Sequence, residues 1–134
     1  MNPLQAMQEG GFMMYPIVGA GLLMVLESIA FTVIALANRE RNLAVLFGVA
    51  LLVSAGAVAG LGAFAYSNAL SSVNVALASV NPEDASTILA AGTGEALTTI
   101  IWGLAMGLVP CFMGFVLLGV GFSRLPRFQG PEAG

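Results

Sequence analysis

Charge is nearly absent from three long stretches of this chain. Between Gly11 and Asn38 the only charged side chain is Glu27. Between Arg41 and Glu83 there is none, and between Glu95 and Arg124 there is none. An apolar run of about 20 residues crosses the ~30 Å hydrocarbon core of a bilayer. A helix that is apolar on every side has to be buried on every side. The composition agrees: 58% of residues are hydrophobic and 8% charged, where a soluble domain carries about 25% charged residues. The chain therefore reads as one integral, all-α membrane domain over residues 1–134.

The sequence gives three spans at about 12–37, 43–66 and 96–122. Arginine placement orients them. Arg39 and Arg41 follow the first span, and Arg124 and Arg127 follow the third. With three crossings these two sites lie on one side, and the positive-inside rule makes that side the cytoplasm. The expectation is an N-terminus outside, a C-terminus in the cytoplasm and a multi-pass protein of the cell inner membrane. Tyr15, Tyr66 and Trp102 then fall near the outer interface, as an aromatic belt requires. The segment before the first span has Glu9 but no Arg or Lys. A signal peptide needs a basic start, so the first apolar run is expected to stay in the mature protein.

The connection over 67–95 carries a helical pattern of its own. Leu70, Val73, Leu77 and Val80 recur at spacings of three and four. "NPED" at 81–84 then reads as a helix start: Asn81 caps, Pro82 takes the first position, and Glu83 and Asp84 complement the helix dipole. Ala85, Ile88, Leu89, Gly92 and Ala96 continue a stripe. Spans two and three are thus expected to form one long helical hairpin. It would project past the outer interface by roughly 15–25 Å at 1.5 Å per residue.

Several function classes are excluded by content. The four basic residues are all arginine, histidine is absent, and the net charge is −3; no basic patch exists for nucleic acid. The single cysteine, Cys111, has no partner for a disulfide and no histidine for a metal site. There is no nucleophile–base set, metal cluster or phosphate loop. The expectation is a non-enzymatic protein without catalytic residues, cofactor or metal.

Small residues crowd the spans. Gly56 and Gly60 form a GxxxG, as do Gly103 and Gly107, and Ala55, Ala59 and Ala63 follow at the same spacing. Such residues let membrane helices approach closely. They serve either packing within one three-helix bundle or association into a homo-oligomer.

The carboxylates are the candidates for chemistry. A charged Glu27 in the middle or inner half of a span costs about 2.5–3.5 kcal/mol on insertion scales. It should face the bundle or a wet cavity, or carry a proton. Either it is a proton or cation site, or it is a protonated residue hydrogen-bonded to a neighbouring helix, with Ser28, Thr32 and Ser54 as the polar side chains at comparable depth. Glu95 opens the third span beside Thr93, with Thr98 and Thr99 in the next turn. Glu95 reads as a pathway residue or as a solvated interfacial one, and the two threonines as pathway hydroxyls or as residues bonded to their own helix backbone.

The stretches "EGGFMMYPI" (9–17), "GLGAFA" (60–65) and "LAAGTGEALTTIIWGLAMGLVP" (89–110) resemble the corresponding phrases of the MotA/TolQ/ExbB proton-channel family. The resemblance implies a homo-oligomeric, pentamer-like ring in the bilayer, surrounding a single-span partner protein whose acidic residue takes the proton. The chain departs from the family pattern in several places. Only "NRERN" joins spans one and two, where the family carries a large cytoplasmic domain. Ala63 and Ile100 stand where the family has its pore threonines, with Thr99 beside the second. Glu27 is about one turn earlier than the family's glutamate, and Pro110 is one residue later than its proline.

Three functions follow as expectations: a stator or channel-type subunit for proton-driven energy transfer or transport, a non-conducting structural or assembly protein on the same scaffold, and a small proton-coupled carrier using Glu27. A rotor-ring proteolipid fits poorly, because its glycines precede its carboxylate and here the order is reversed.

Overall fold

The computed structural model describes residues 12–124; Glu9 and Arg127, used above, lie outside the described residues. Three helices account for nearly all of it: α1 (Met14–Asn38), α2 (Arg41–Leu77) and α3 (Pro82–Ser123). All three are long and apolar enough to cross a membrane. They hold 25, 37 and 42 residues, which at 1.5 Å per residue gives lengths of about 38, 56 and 63 Å. Only α1 matches a bilayer. The other two exceed the ~30 Å core by a wide margin.

The two turns are built differently. Between α1 and α2 there are two residues. Arg39 adopts φ 52, the left-handed conformation that ends a helix. The Asn38 side-chain amide donates back to the Ile34 carbonyl in the last turn, at 3.1 Å. Between α2 and α3, the Ser79 amide and hydroxyl both donate to the Ala76 carbonyl, at 3.1 and 2.9 Å. Pro82 is the first residue of α3, and Glu83 and Asp84 fill its first turn. Asn81 occupies the cap position, but its side chain makes no capping hydrogen bond. Its backbone carbonyl accepts from the Asp84 amide at 3.0 Å instead. The capping expected of the Asn81 side chain is therefore corrected to a backbone contact.

α2 and α3 form an antiparallel hairpin along a seam of small residues. On α2 the buried positions Ala44, Gly48, Leu51, Ala55, Val58, Gly62 and Ala65 are separated alternately by four and three, and Val73 is buried further along. That spacing keeps one stripe facing the partner over many turns. At the closest approach a methyl group on Gly103 would lie 2.7 Å from the Gly62 Cα. Nothing larger than glycine fits there without moving backbone.

α1 runs parallel to α3 and packs on one half of the hairpin. Gly21 faces the Met106 side chain. At the other end, the Arg124 guanidinium donates to the Ala35 carbonyl at 3.0 Å, placing a cation at the last turn of α1 where the dipole favours it. Near that end lies the core of Ala35, Ala44, Leu51 and Leu117, with Phe31, Phe47 and Met113 packed around it. Phe31 and Phe47 stack with centroids 4.3 Å apart. Past the start of α1, only α2 and α3 continue among the described residues, as far as the turn at 78–81. Val73 over Gly92 closes the seam there.

Candidate functional site

The step where α1 begins creates a groove. It encloses about 560 Å³ between α2 and α3, with Phe12 and Met13 at its floor. Four polar residues line it: Asn68 and Ser72 from α2, and Glu95 and Thr99 from α3. The residues i and i+4 on each helix share a face, so one turn of polar side chains on each side is enough to wet this otherwise apolar slot. Glu95 is exposed, whereas Thr99 is buried at 1% exposure.

The hydroxyl groups in and beside the groove are already engaged. Thr99 Oγ1 donates to the Ala96 carbonyl at 2.7 Å, and Thr98 Oγ1 to the Gly94 carbonyl at 2.9 Å. Ser72 Oγ donates to the Asn68 carbonyl at 3.1 Å. Each satisfies its donor on its own helix, a common arrangement for serine and threonine in apolar helices. As acceptors they stay available. As placed, they do not form a chain of donors that leads away from Glu95.

Glu27 stands apart from this groove. It is half-buried at the middle of α1, 13 residues along from Met14 and so about 20 Å from that helix's start. It lies beside the buried stripe of α1, which runs through Ile17, Gly21, Ser28 and Ala35. Its polar neighbours on α1 are not its partners. Ser28 Oγ donates to the Met24 carbonyl at 2.6 Å, and Thr32 Oγ1 to the Ser28 carbonyl at 2.7 Å. Among the described residues, none of the side-chain hydrogen bonds involves the Glu27 carboxyl. The bond from this carboxyl to a neighbouring helix, one of the two expectations for Glu27, is not seen among the described residues.

The four pathway candidates are thus divided. Glu95 and Thr99 share the groove, Thr98 is not among its lining residues, and Glu27 is far below. Asn68 and Ser72 had not been singled out from the sequence. Their signal is a pair of polar residues four apart in the α2 apolar run, on the same face as Ala65, Ala69 and Val73.

The packing glycines are divided as well. Gly103 and Gly107 are buried in the α2–α3 seam, against Gly62 and Ala55. Gly56 and Gly60 are exposed, and a methyl group on either would meet nothing within 4 Å. Packing inside the bundle therefore does not explain Gly56 and Gly60. Ala63 and Ile100, which stand at hydroxyl positions of the resembling family, are exposed and half-buried respectively. No group of three or more metal-ligating side chains gathers among the described residues. Compared with known protein families, with curated protein sequences and with solved structures, the chain finds no match.

Proposed function

We propose that this three-span membrane protein is a non-enzymatic subunit of a homo-oligomeric inner-membrane assembly of the MotA/TolQ/ExbB proton-channel type, in which Glu27 takes up and releases a proton. The observation that carries the reading is Glu27 itself. A carboxyl at the middle of a membrane-spanning helix is costly, and this one is half-buried with no side-chain hydrogen bond among the described residues. A neighbouring subunit or a central single-span partner helix would supply what the single chain does not. The open face at Gly56 and Gly60 supports close approach of such a neighbour.

A second reading, a non-conducting assembly scaffold, has its own support. Thr98 and Thr99 bond to their own backbone, and Ala63 and Ile100 have no hydroxyl to offer. The carrier reading shares Glu27 with the first and differs only in needing a co-transported solute.

The deciding experiment is proton flux into liposomes containing the purified oligomer. Wild-type protein should conduct. Glu27→Gln should abolish flux with the oligomer intact, because the amide keeps the shape but does not exchange a proton in this pH range. Flux that survives Glu27→Gln rules out the proton-site role, and no flux from wild type favours the scaffold.

A further inference from the structure

A second groove lies at the opposite end of the hairpin, and we propose that it binds an anionic phospholipid. It encloses about 360 Å³ and is lined by Arg41, Asn42, Val45, Leu46, Val49 and Phe122. The order of these residues along α2 is the central point. Arg41 and Asn42 sit in the first turn, at the mouth. Val45 and Leu46 come one turn deeper, Val49 deeper still, and Phe122 closes the far wall from α3. The slot is polar at one end and apolar along its length, the shape of an amphiphile with its head at the mouth.

The charge at the mouth selects the head. Arg39, Arg41 and Arg124 all lie at this end of the bundle, and Glu40 is the one acid there among the described residues. Arg41 is exposed, so its guanidinium is free to reach a phosphate. The first-turn amides of α2 face the same way, and no side chain caps them. Unsatisfied amides at a helix start favour an anion, here in addition to the arginine. A lipid with a neutral zwitterionic head would meet the same groove without the net attraction.

The body of the groove selects a lipid over a soluble phosphate. Leu46 is 62% and Phe122 59% exposed, on helices that span the bilayer. Their open sides face hydrocarbon, where an acyl chain is the available occupant. Gly121 brings α3 against α2 at this level: a methyl group there would lie 3.2 Å from the Val45 amide nitrogen. That approach holds Phe122 beside Val45 and gives the slot its wall. Basic pockets between membrane helices beside a headgroup layer bind anionic lipid heads by the same physics. The site shares no residue with Glu27 and stands whether or not the protein conducts.

Native mass spectrometry of the purified protein, titrated with phosphatidylglycerol or with phosphatidylcholine of identical chains, tests the proposal. Phosphatidylglycerol should be retained at several-fold lower concentration. Arg41→Gln should weaken it about fivefold, the effect of one basic side chain near a headgroup, without changing phosphatidylcholine binding. Arg41→Lys should keep most of the preference. Val49→Trp, which fills the slot and alters no charge, should weaken phosphatidylglycerol as well. Glycerol phosphate, the head without chains, should not displace the lipid. Unchanged helical circular dichroism certifies each variant. Equal retention of the two lipids by wild type, an Arg41→Gln variant that retains phosphatidylglycerol as well as wild type does, or displacement by glycerol phosphate would each overturn it.

Discussion

At the arginine end of the molecule three helices share one core; at the α2–α3 turn only two helices remain among the described residues. The seam between α2 and α3 is dense in the first region, with buried residues three or four apart from Ala44 to Ala65 and from Ala96 to Gly121, and thin in the second, where Val73 is the one buried residue of α2 and α3 has none before Ala96. The third side differs as well. Near the arginines, α1 covers the hairpin with Phe31, Ala35 and the Arg124 contact. Past Phe12 nothing among the described residues covers it, and the groove with Glu95, Asn68 and Ser72 opens. A membrane explains the division. Where lipid surrounds the helices, the exposed positions are apolar, as at Leu23, Val53, Leu108 and Phe112, with the half-buried Glu27 and Thr32 beside them. In the extension the exposed positions turn mixed, with Ser67, Asn68, Ser71, Asn74, Ser86 and Thr87 between the alanines.

The sharpest way to break this comparison is to place the same charge in both regions. Leu108 and Val75 are equally exposed, at 67% and 70%. Leu108→Asp should cost about 3 kcal/mol of membrane insertion, because its position falls at the centre of the third span. Val75→Asp should cost about 0.5 kcal/mol or less, as an exposed change in water does. A translocon-based insertion assay with glycosylation reporters reads both. Equal penalties would mean that the extension lies in the bilayer, and the two-region account would fail.

A smaller effect separates two glycines that belong to GxxxG pairs. Gly103→Leu drives a side chain into the Gly62 backbone, and should destabilise the folded bundle by about 2–3 kcal/mol as overpacking does. Gly60→Leu points into open space. It should leave the monomer's thermal stability unchanged and lower the oligomer mass in mild detergent, because the lost close approach is between subunits. Light scattering and a thermal melt on the two variants distinguish them. An unchanged oligomer mass in Gly60→Leu removes the ring from the proposed function.

These glycines also show what a sequence can and does not disclose. The helices themselves were legible, because runs free of charge over more than 20 residues have one common solution in lipid. The extension was legible from Leu70, Val73 and Leu77, and the turn from Pro82 with its two acids. The seam was not. GxxxG draws the eye to a strict spacing of four, but four residues turn a helix by about 400°, so each step drifts about 40° from the last. Ala55, Ala59 and Ala63 display the drift: the first is buried, the second half-buried and the third exposed. The real seam alternates three and four, and so takes Gly48, Ala55 and Gly62 and passes by Gly56 and Gly60. The groove was harder still. It exists because α1 stops where α2 and α3 continue, and no local pattern around Asn68 or Ser72 encodes where a different helix begins. Glu27 was found by its rarity alone, one charge between Gly11 and Asn38.

The account rests on three membrane crossings with the long hairpin turn on the side opposite the arginines. Single cysteines at Asn38 and Asn81, in a Cys111→Ser background, test this directly with a membrane-impermeant thiol reagent applied to sealed vesicles of known orientation. Both positions are exposed and lie in or beside turns. Cysteine at 38 should react from one face only, cysteine at 81 from the other face only, and the face reached at 38 should be the cytoplasmic one. Reaction of both from the same face would contradict the arrangement and everything built on it.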